Sequence, residues 1–255
     1  MFGNRPLSTI LRSVFQRRHY FTLWHMYRNY PAFKDALKRY LWSTGNYPYR
    51  IQIKTPTRNI SPTLHSHHDM LTVNEIFCRQ DYFADAKISV VVDLGSNIGI
   101  SALYFLTRNS KARCYLFEPD GRNIERLRLN LTGFETRYSL RKEAVADFSG
   151  RTQFGIERTG RYGGIGIKTG QYIEVDCLDV NEVLQDIIEK ESVIDVLKID
   201  TEGVEIRTVK AIRKPLLERI KHIYLEAYPK EELYPTMFEQ HQYGSVCQLR
   251  NRFHT

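Results

Sequence analysis

Three short stretches of this 255-residue chain gather side chains able to bind or transform a ligand. The first is Asp93-Leu94-Gly95-Ser96-Asn97-Ile98-Gly99. The β-branched run Val90-Val91-Val92 before it has the pattern of a strand buried on both faces, and an amphipathic helix from Ile98 to Leu106 follows. Strand, tight turn and helix N-terminus together form a site for a nucleotide-like ligand, and the glycines let the backbone turn and be approached closely. A dinucleotide turn reads Gly-x-Gly-x-x-Gly; here Asn97 stands at the middle glycine and Asp93 precedes the turn. A carboxylate at that point repels a pyrophosphate and suits a cationic ligand with an amino-acid tail. S-adenosylmethionine, with its sulfonium and ammonium groups, answers to that description. A nicotinamide cofactor, or an ordinary turn in another α/β protein, are the alternatives.

The second stretch, Phe117-Glu118-Pro119, places an acid at the end of the next apolar strand, Cys114 to Phe117. Such an acid accepts hydrogen bonds from ribose hydroxyls, which supports adenosine without choosing between cofactors. Ser139 to Val145 reads as a third strand leading to Asp147, where an adenine edge could be met. The third stretch is Lys198-Ile199-Asp200-Thr201-Glu202-Gly203-Val204-Glu205. Strand alternation puts Val196, Lys198 and Asp200 on one face. A lysine in a buried strand is costly unless paired, and Asp200, Asp93 and Glu226 are its candidate partners. Glu202 and Glu205 are expected in the first turn of the following helix, where the dipole favours anions. The cluster suits a structural ion-pair network, and equally a substrate site at the carboxyl edge of a parallel sheet.

The elements that must position these groups alternate between strand and helix. After the third strand, residues 148–172 carry seven glycines and read as a hairpin or flexible loop that could cover a substrate. Ile173 to Asp176 reads as a short edge segment, Leu178 to Ile188 as a helix, Ile194 onward as a strand and His222 to Pro229 as another. Glu232 to Gln240 reads as a helix and Val246 to Leu249 as the last strand, one that is short or incomplete. The pattern implies an α/β fold, a doubly wound, mainly parallel sheet with helices on both faces.

Composition narrows the rest. An apolar fraction of 42% supports one core. No apolar run reaches the ~18 residues of a membrane-spanning helix, and Arg5, Arg12, Arg17 and Arg18 interrupt any candidate signal peptide. Cys78, Cys114, Cys177 and Cys247 form no Cys-x-x-Cys pair and read as reduced thiols of a cytoplasmic protein. The net charge of +8 is concentrated in residues 1–42, where eight basic residues face Asp35 alone. There Leu7, Ile10, Leu11, Val14 and Phe15 have helical spacing. Such a basic amphipathic segment can cap its own domain, lie on an anionic membrane surface or bind RNA. Residues 1–69 are taken as an N-terminal helical extension and linker, and 70–255 as the ligand-binding domain. Within the extension Tyr49 to Lys54 reads as a short strand. His65, His67, His68 and Asp69 fit no ligand spacing for a metal and read as a solvated loop. A helix is expected from Thr72 to about Phe83.

Across residues 70–250 these motifs resemble the FkbM family of methyltransferases. The resemblance rests on Val92 to Gly99, on Phe117-Glu118-Pro119, on Val175-Asp176-Cys177-Leu178-Asp179 and on Leu197 to Glu205, with a weaker match at Leu225-Glu226 and Tyr228-Pro229. It implies a class I methyltransferase fold, S-adenosylmethionine as cofactor and methyl transfer to hydroxyl groups of saccharides, glycans or secondary metabolites. Gly95, Ser96, Asn97 and Gly99 would then shape the turn around the methionine part, Asp93 would hold its polar groups directly or through water, Glu118 would take the ribose hydroxyls and Asp147 would meet the adenine. An aliphatic hydroxyl is a poor nucleophile and needs a base; Asp200 is the first candidate, then Glu202 and Glu226, with Lys198 keeping its neighbouring acid ionised. An RNA methyltransferase and a non-catalytic partner in a glycan-assembly complex are the rival readings. Asp200-Thr201-Glu202-Gly203 does not resemble the Asn/Asp-Pro-Pro-Tyr of base-modifying enzymes, and the local acidity opposes phosphate. The acceptor would be a small molecule or glycan, with membrane-surface contact through residues 1–42 as a further expectation.

Overall fold

The computed structural model of the chain describes residues 17–157 and 163–254. The helical spacing at residues 7–15 lies outside the described residues. Two compact units divide after Phe83, not after Asp69.

The first unit holds α1 (Arg17–Asn29), α2 (Phe33–Trp42), β1 (Tyr49–Arg50), β2 (Ile53–Lys54), β3 (Asn59–Ile60), β4 (Thr63–Leu64) and α3 (His67–Asn74), which continues as a π-helical turn over Glu75–Arg79. The strand expected at residues 49–54 is thus two short ones, β1 pairing with β4 and β2 with β3. The helix expected from Thr72 begins at His67 because of a capping box. The Asp69 N–H donates to Ser66 Oγ (3.2 Å), and Ser66 N–H donates back to Asp69 Oδ2 (3.1 Å). His67, His68 and Asp69 therefore belong to a helix start and not to a loop. Among the described residues no three His, Cys, Asp or Glu side chains are grouped to hold a metal ion. The Asn29 amide donates to the Phe77 carbonyl (3.1 Å) and the Tyr30 hydroxyl to Asn74 Oδ1 (3.2 Å), so α3 and its π-turn belong with α1.

The second unit contains β5 (Val90–Leu94), α4 (Ile100–Leu106), β6 (Arg113–Phe117), α5 (Gly121–Asn130), β7 (Tyr138–Arg141), β8 (Ala144–Ala146), β9 (Gly150–Ile156), β10 (Gly163–Ile165) and β11 (Tyr172–Asp179). It continues with α6 (Val180–Glu191), β12 (Ile194–Ile199), α7 (Glu205–Ala211), α8 (Lys214–Leu217), β13 (Ile220–Leu225), β14 (Phe238–Tyr243) and β15 (Val246–Asn251). Seven strands pair in the order β14-β15-β13-β12-β5-β6-β7. The five from β13 to β7 are parallel, and β15 enters antiparallel between β13 and β14. This is the doubly wound, Rossmann-like sheet expected from the alternation of elements. Its central strands β5 and β12 are buried along their whole length because both faces are covered, and apart from Asp93, Asp195 and Lys198 their residues are apolar. Val92, Leu94, Leu197 and Ile199 are buried in the same core as Val183, Leu184 and Ile187 of α6.

Within the second unit, four elements differ from the sequence reading in extent, type or pairing. The last strand is complete, six residues long and internal to the sheet. Residues 232–240 are not a helix. Leu233, Met237 and Phe238 have helical spacing and are buried, but Pro235 follows a left-handed Tyr234 (φ 53°), which stops a helix before β14 begins. The strand expected at residues 139–145 divides, β7 closing the large sheet while β8 leaves it. β8 pairs with β11 in a second sheet ordered β10-β9-β11-β8, so β11 is an eight-residue internal strand and not an edge.

One buried acid pins the amino ends of three neighbouring strands. Asp195 Oδ2 accepts the backbone N–H groups of Ser89 (2.6 Å) and Val90 (2.9 Å), and Oδ1 pairs with Lys221 (2.7 Å). Asp195→Ala leaves two strand donors without an acceptor, and urea denaturation should show a loss of about 1–3 kcal/mol. Lys221→Ala, which removes only a half-exposed partner, should cost under about 1 kcal/mol. Equal losses would show that the backbone bonds are not what Asp195 contributes.

Candidate functional site

The register of the parallel sheet sets Lys198 of β12 directly beside Asp93 of β5. Lys198 Nζ donates to Asp93 Oδ1 (3.0 Å) and to the Gly95 carbonyl (3.0 Å), and pairs with Asp200 Oδ2 (3.1 Å). Two of its three sequence candidates therefore serve together. Asp93 is 0% exposed and Lys198 2%. Ser101 Oγ donates to the other Asp93 oxygen (2.5 Å). Burial pushes the Asp93 carboxyl above its ordinary value, while Lys198 and Ser101 pull it back. Burial works against the Lys198 ammonium, but Asp200 and Asp93 outweigh it and hold Lys198 above its ordinary value.

The turn after β5 is stitched to the end of β6. Gly95 N–H and Ser96 N–H both donate to the Phe117 carbonyl at 3.0 Å, and Ser96 Oγ donates to the Asp93 carbonyl (2.9 Å). Asn97 N–H donates to Glu118 Oε2 and Asp120 N–H to Glu118 Oε1, each at 2.9 Å. Glu118 is buried, and burial above all pushes its carboxyl up to about 7 against these backbone donors. Gly95 is a glycine for reasons internal to the chain: its φ is 84°, and a Cβ there would lie 1.9 Å from the Asp200 carbonyl oxygen.

These groups open on a cleft of about 620 Å³, its mouth included. It is lined by Gly95, Asn97 and Glu118 and by Asp200, Thr201 and Glu202. Phe154 of β9 and Ile165 of β10 bring the second sheet to the same cleft. That sheet explains the glycine-rich segment. Gly164 lies so close to the Glu202 carbonyl oxygen that a Cβ would come within 1.9 Å of it, so β10 rests on the Thr201–Gly203 turn. Residues 158–162, in the same segment, lie outside the described residues.

Several sequence-selected side chains sit apart from the cleft walls. Asp93 and Lys198 lie behind the turn. Asp147 pairs with Arg207 (2.8 Å) away from the lining, where Glu143, Ala144 and Val145 are found instead. Glu226 follows β13, exposed, with its N–H on the Ile199 carbonyl (3.0 Å). Glu202 is not in a helix: it is left-handed (φ 54°) and α7 starts only at Glu205. Glu205 instead turns back to accept the Gly203 N–H with both oxygens (2.9 and 3.0 Å), which holds the turn. Sequence reasoning passed over Asn123 and Thr201, which line the cleft with buried side-chain oxygens, Oδ1 and Oγ1, lacking a hydrogen-bond partner. Both were within reach of it, Asn123 in the first turn after the second-strand acid and Thr201 between two acids already chosen.

The Methyltransferase FkbM domain profile matches residues 93–246. AMB antimetabolite synthetase AmbE of Pseudomonas aeruginosa is 24% identical over 71% of this chain, and the chain spans about a tenth of that relative's length (10%). Among solved structures, a methyltransferase FkbM from Methylobacillus flagellatus is 15% identical with a TM-score of 0.46, covering 71% of this chain and 53% of that one. An rRNA methylase from Streptococcus thermophilus is 11% identical with a TM-score of 0.39, covering 72% and 95%.

Lys198→Met leaves Asp93 enclosed without a counter-charge and should destabilise the fold by about 3–5 kcal/mol in urea. The double variant Asp93→Asn with Lys198→Met should recover part of that loss. A single-variant cost under about 1 kcal/mol would show that the pair does not hold the two strand ends together.

Proposed function

This chain belongs to the FkbM methyltransferase family, with a class I methyltransferase fold and S-adenosylmethionine as cofactor, and from that premise we propose that it methylates a hydroxyl oxygen of a saccharide or secondary metabolite. The observation that carries the proposal is Asp200: a carboxylate on the cleft wall, 24% exposed, held at 3.1 Å by a buried lysine. The cleft suits the cofactor. Its lining carries the partnerless Asn123 Oδ1 and Thr201 Oγ1, which call for a polar ligand. When bound, the cofactor supplies an electrophilic methyl group on sulfur.

The chain's own residues supply binding and alignment. Glu118 accepts the ribose hydroxyls, and Gly95, Ser96, Asn97 and Gly99 shape the turn beside the methionine part. Asp93 is enclosed, so it serves by fixing Lys198 and the turn, not by touching the ligand. Recognition of the adenine falls to the cleft wall at residues 143–145, in place of Asp147. Asp200 takes the proton of the acceptor hydroxyl, with Glu202 as the second acid of the same wall. Alignment of the reacting atoms can supply roughly 7–11 kcal/mol, and the base a further ~10²–10⁴-fold. The acids Asp200, Glu202 and Glu118 around one cleft favour a neutral hydroxyl acceptor over a phosphate-bearing one.

Two measurements test this. With radiolabelled S-adenosylmethionine and a panel of glycan and polyhydroxylated acceptors, Asp200→Asn should lose about 10²–10⁴-fold in turnover while binding the cofactor normally. Wild-type turnover would remove Asp200 from the role, and methylation of RNA alone would overturn the acceptor class. Glu118 must be ionised to accept two hydroxyls, and with its carboxyl at about 7 it protonates as the pH falls through neutrality. Calorimetric affinity for S-adenosylhomocysteine should therefore weaken from pH 8 to pH 6 by up to about tenfold. Glu118→Gln should flatten that dependence; an unchanged slope would take Glu118 out of the contact.

A further inference from the structure

We propose that the outward face of α1 seats the protein on an anionic lipid surface. Thr22, His25 and Met26 of α1 and Tyr30 just beyond it are buried, a helically spaced stripe that packs within the first unit. The opposite face should then be polar. It carries Tyr20, Phe21, Leu23, Trp24 and Tyr27 instead, with Tyr20 57%, Trp24 53% and Tyr27 70% exposed. Five large apolar side chains on the water side of one helix mark an interaction surface, not scattered exposure.

The side-chain types choose the occupant. Tyr and Trp are the residues that settle at the headgroup level of a bilayer, apolar body inward and polar tip in water. Basic groups accompany them: the Arg28 guanidinium lies over the Trp24 ring (5.4 Å), and Lys34 and Lys38 are exposed on α2. Across residues 17–42, six basic residues face Asp35 alone, and Asp35 is already paired with Arg39 (2.9 Å). That charge suits anionic headgroups and sets a second copy of the same face against itself. Among the described residues no helix is long and apolar enough to cross a membrane, so the contact lies on the surface. This inference is independent of the acceptor and of the proposed base.

Flotation of the full chain with phosphatidylcholine vesicles, with and without phosphatidylglycerol, tests it. The protein should float with the phosphatidylglycerol vesicles alone, and less so in high salt. The double variant Trp24→Ser with Tyr27→Ser should lose about tenfold or more in partitioning, with thermal stability and S-adenosylhomocysteine affinity unchanged. Absence of flotation with either vesicle would overturn the proposal. So would a dimer in sedimentation velocity that the double variant dissolves, which would assign the face to a second copy, or retention of single-stranded RNA by the same residues without vesicle binding.

Discussion

A lysine and an aspartate enclosed side by side in a parallel sheet are the constraint on which the site depends. Lys198 and Asp93 come from strands more than a hundred residues apart in the chain, and register alone brings them together. Neither tolerates the interior without the other. Their pairing therefore ties the carboxyl ends of β5 and β12, and Lys198 extends the tie to the Gly95 carbonyl and to Asp200. The turn after β5 and the cleft-lining Asp200 are thus fixed to one buried charge.

Close backbone approach does the rest of the positioning. Gly95 lies against the Asp200 carbonyl and Gly164 against the Glu202 carbonyl, so the turn after β5, the turn after β12 and the strand β10 form a stack with no room for side chains between them. Glu118 ties the turns after β5 and β6 together by accepting the backbone N–H groups of Asn97 and Asp120. A wall built this way is preorganised, which is what methyl transfer asks of an enzyme whose main task is alignment. The second sheet, with Phe154 and Ile165 at the cleft, gives this alignment a roof that belongs to the same unit.

The alternating architecture was legible because a buried parallel strand such as β5 announces itself as a β-branched run, while β12 was found as a charged strand-to-helix junction. That Glu118 and Asp200 line the cleft was legible because each acid closely follows the carboxyl end of a parallel strand. Local patterns failed where two readings share one spacing. Leu233, Met237 and Phe238 imitate a helix and Ile173 to Asp176 an edge, while the actual assignments were settled by a left-handed Tyr234 and by the partners β9 and β8. The four cysteines are buried.

By itself the sequence determined the alternating α/β plan of the second unit, the family, the cofactor and the short stretches that could hold it, since these depend on residue types and on neighbours along the chain. Only the tertiary structure decided which of those residues face the cleft. It enclosed Asp93, turned Asp147 to Arg207, left Glu226 outside and brought Asn123 and Thr201 in. It also showed that α1 wears its aromatic side outward. The physical reason is the same throughout: which way a side chain points, and what charge it meets, follow from strand register and packing between segments distant in sequence, and no local pattern encodes those.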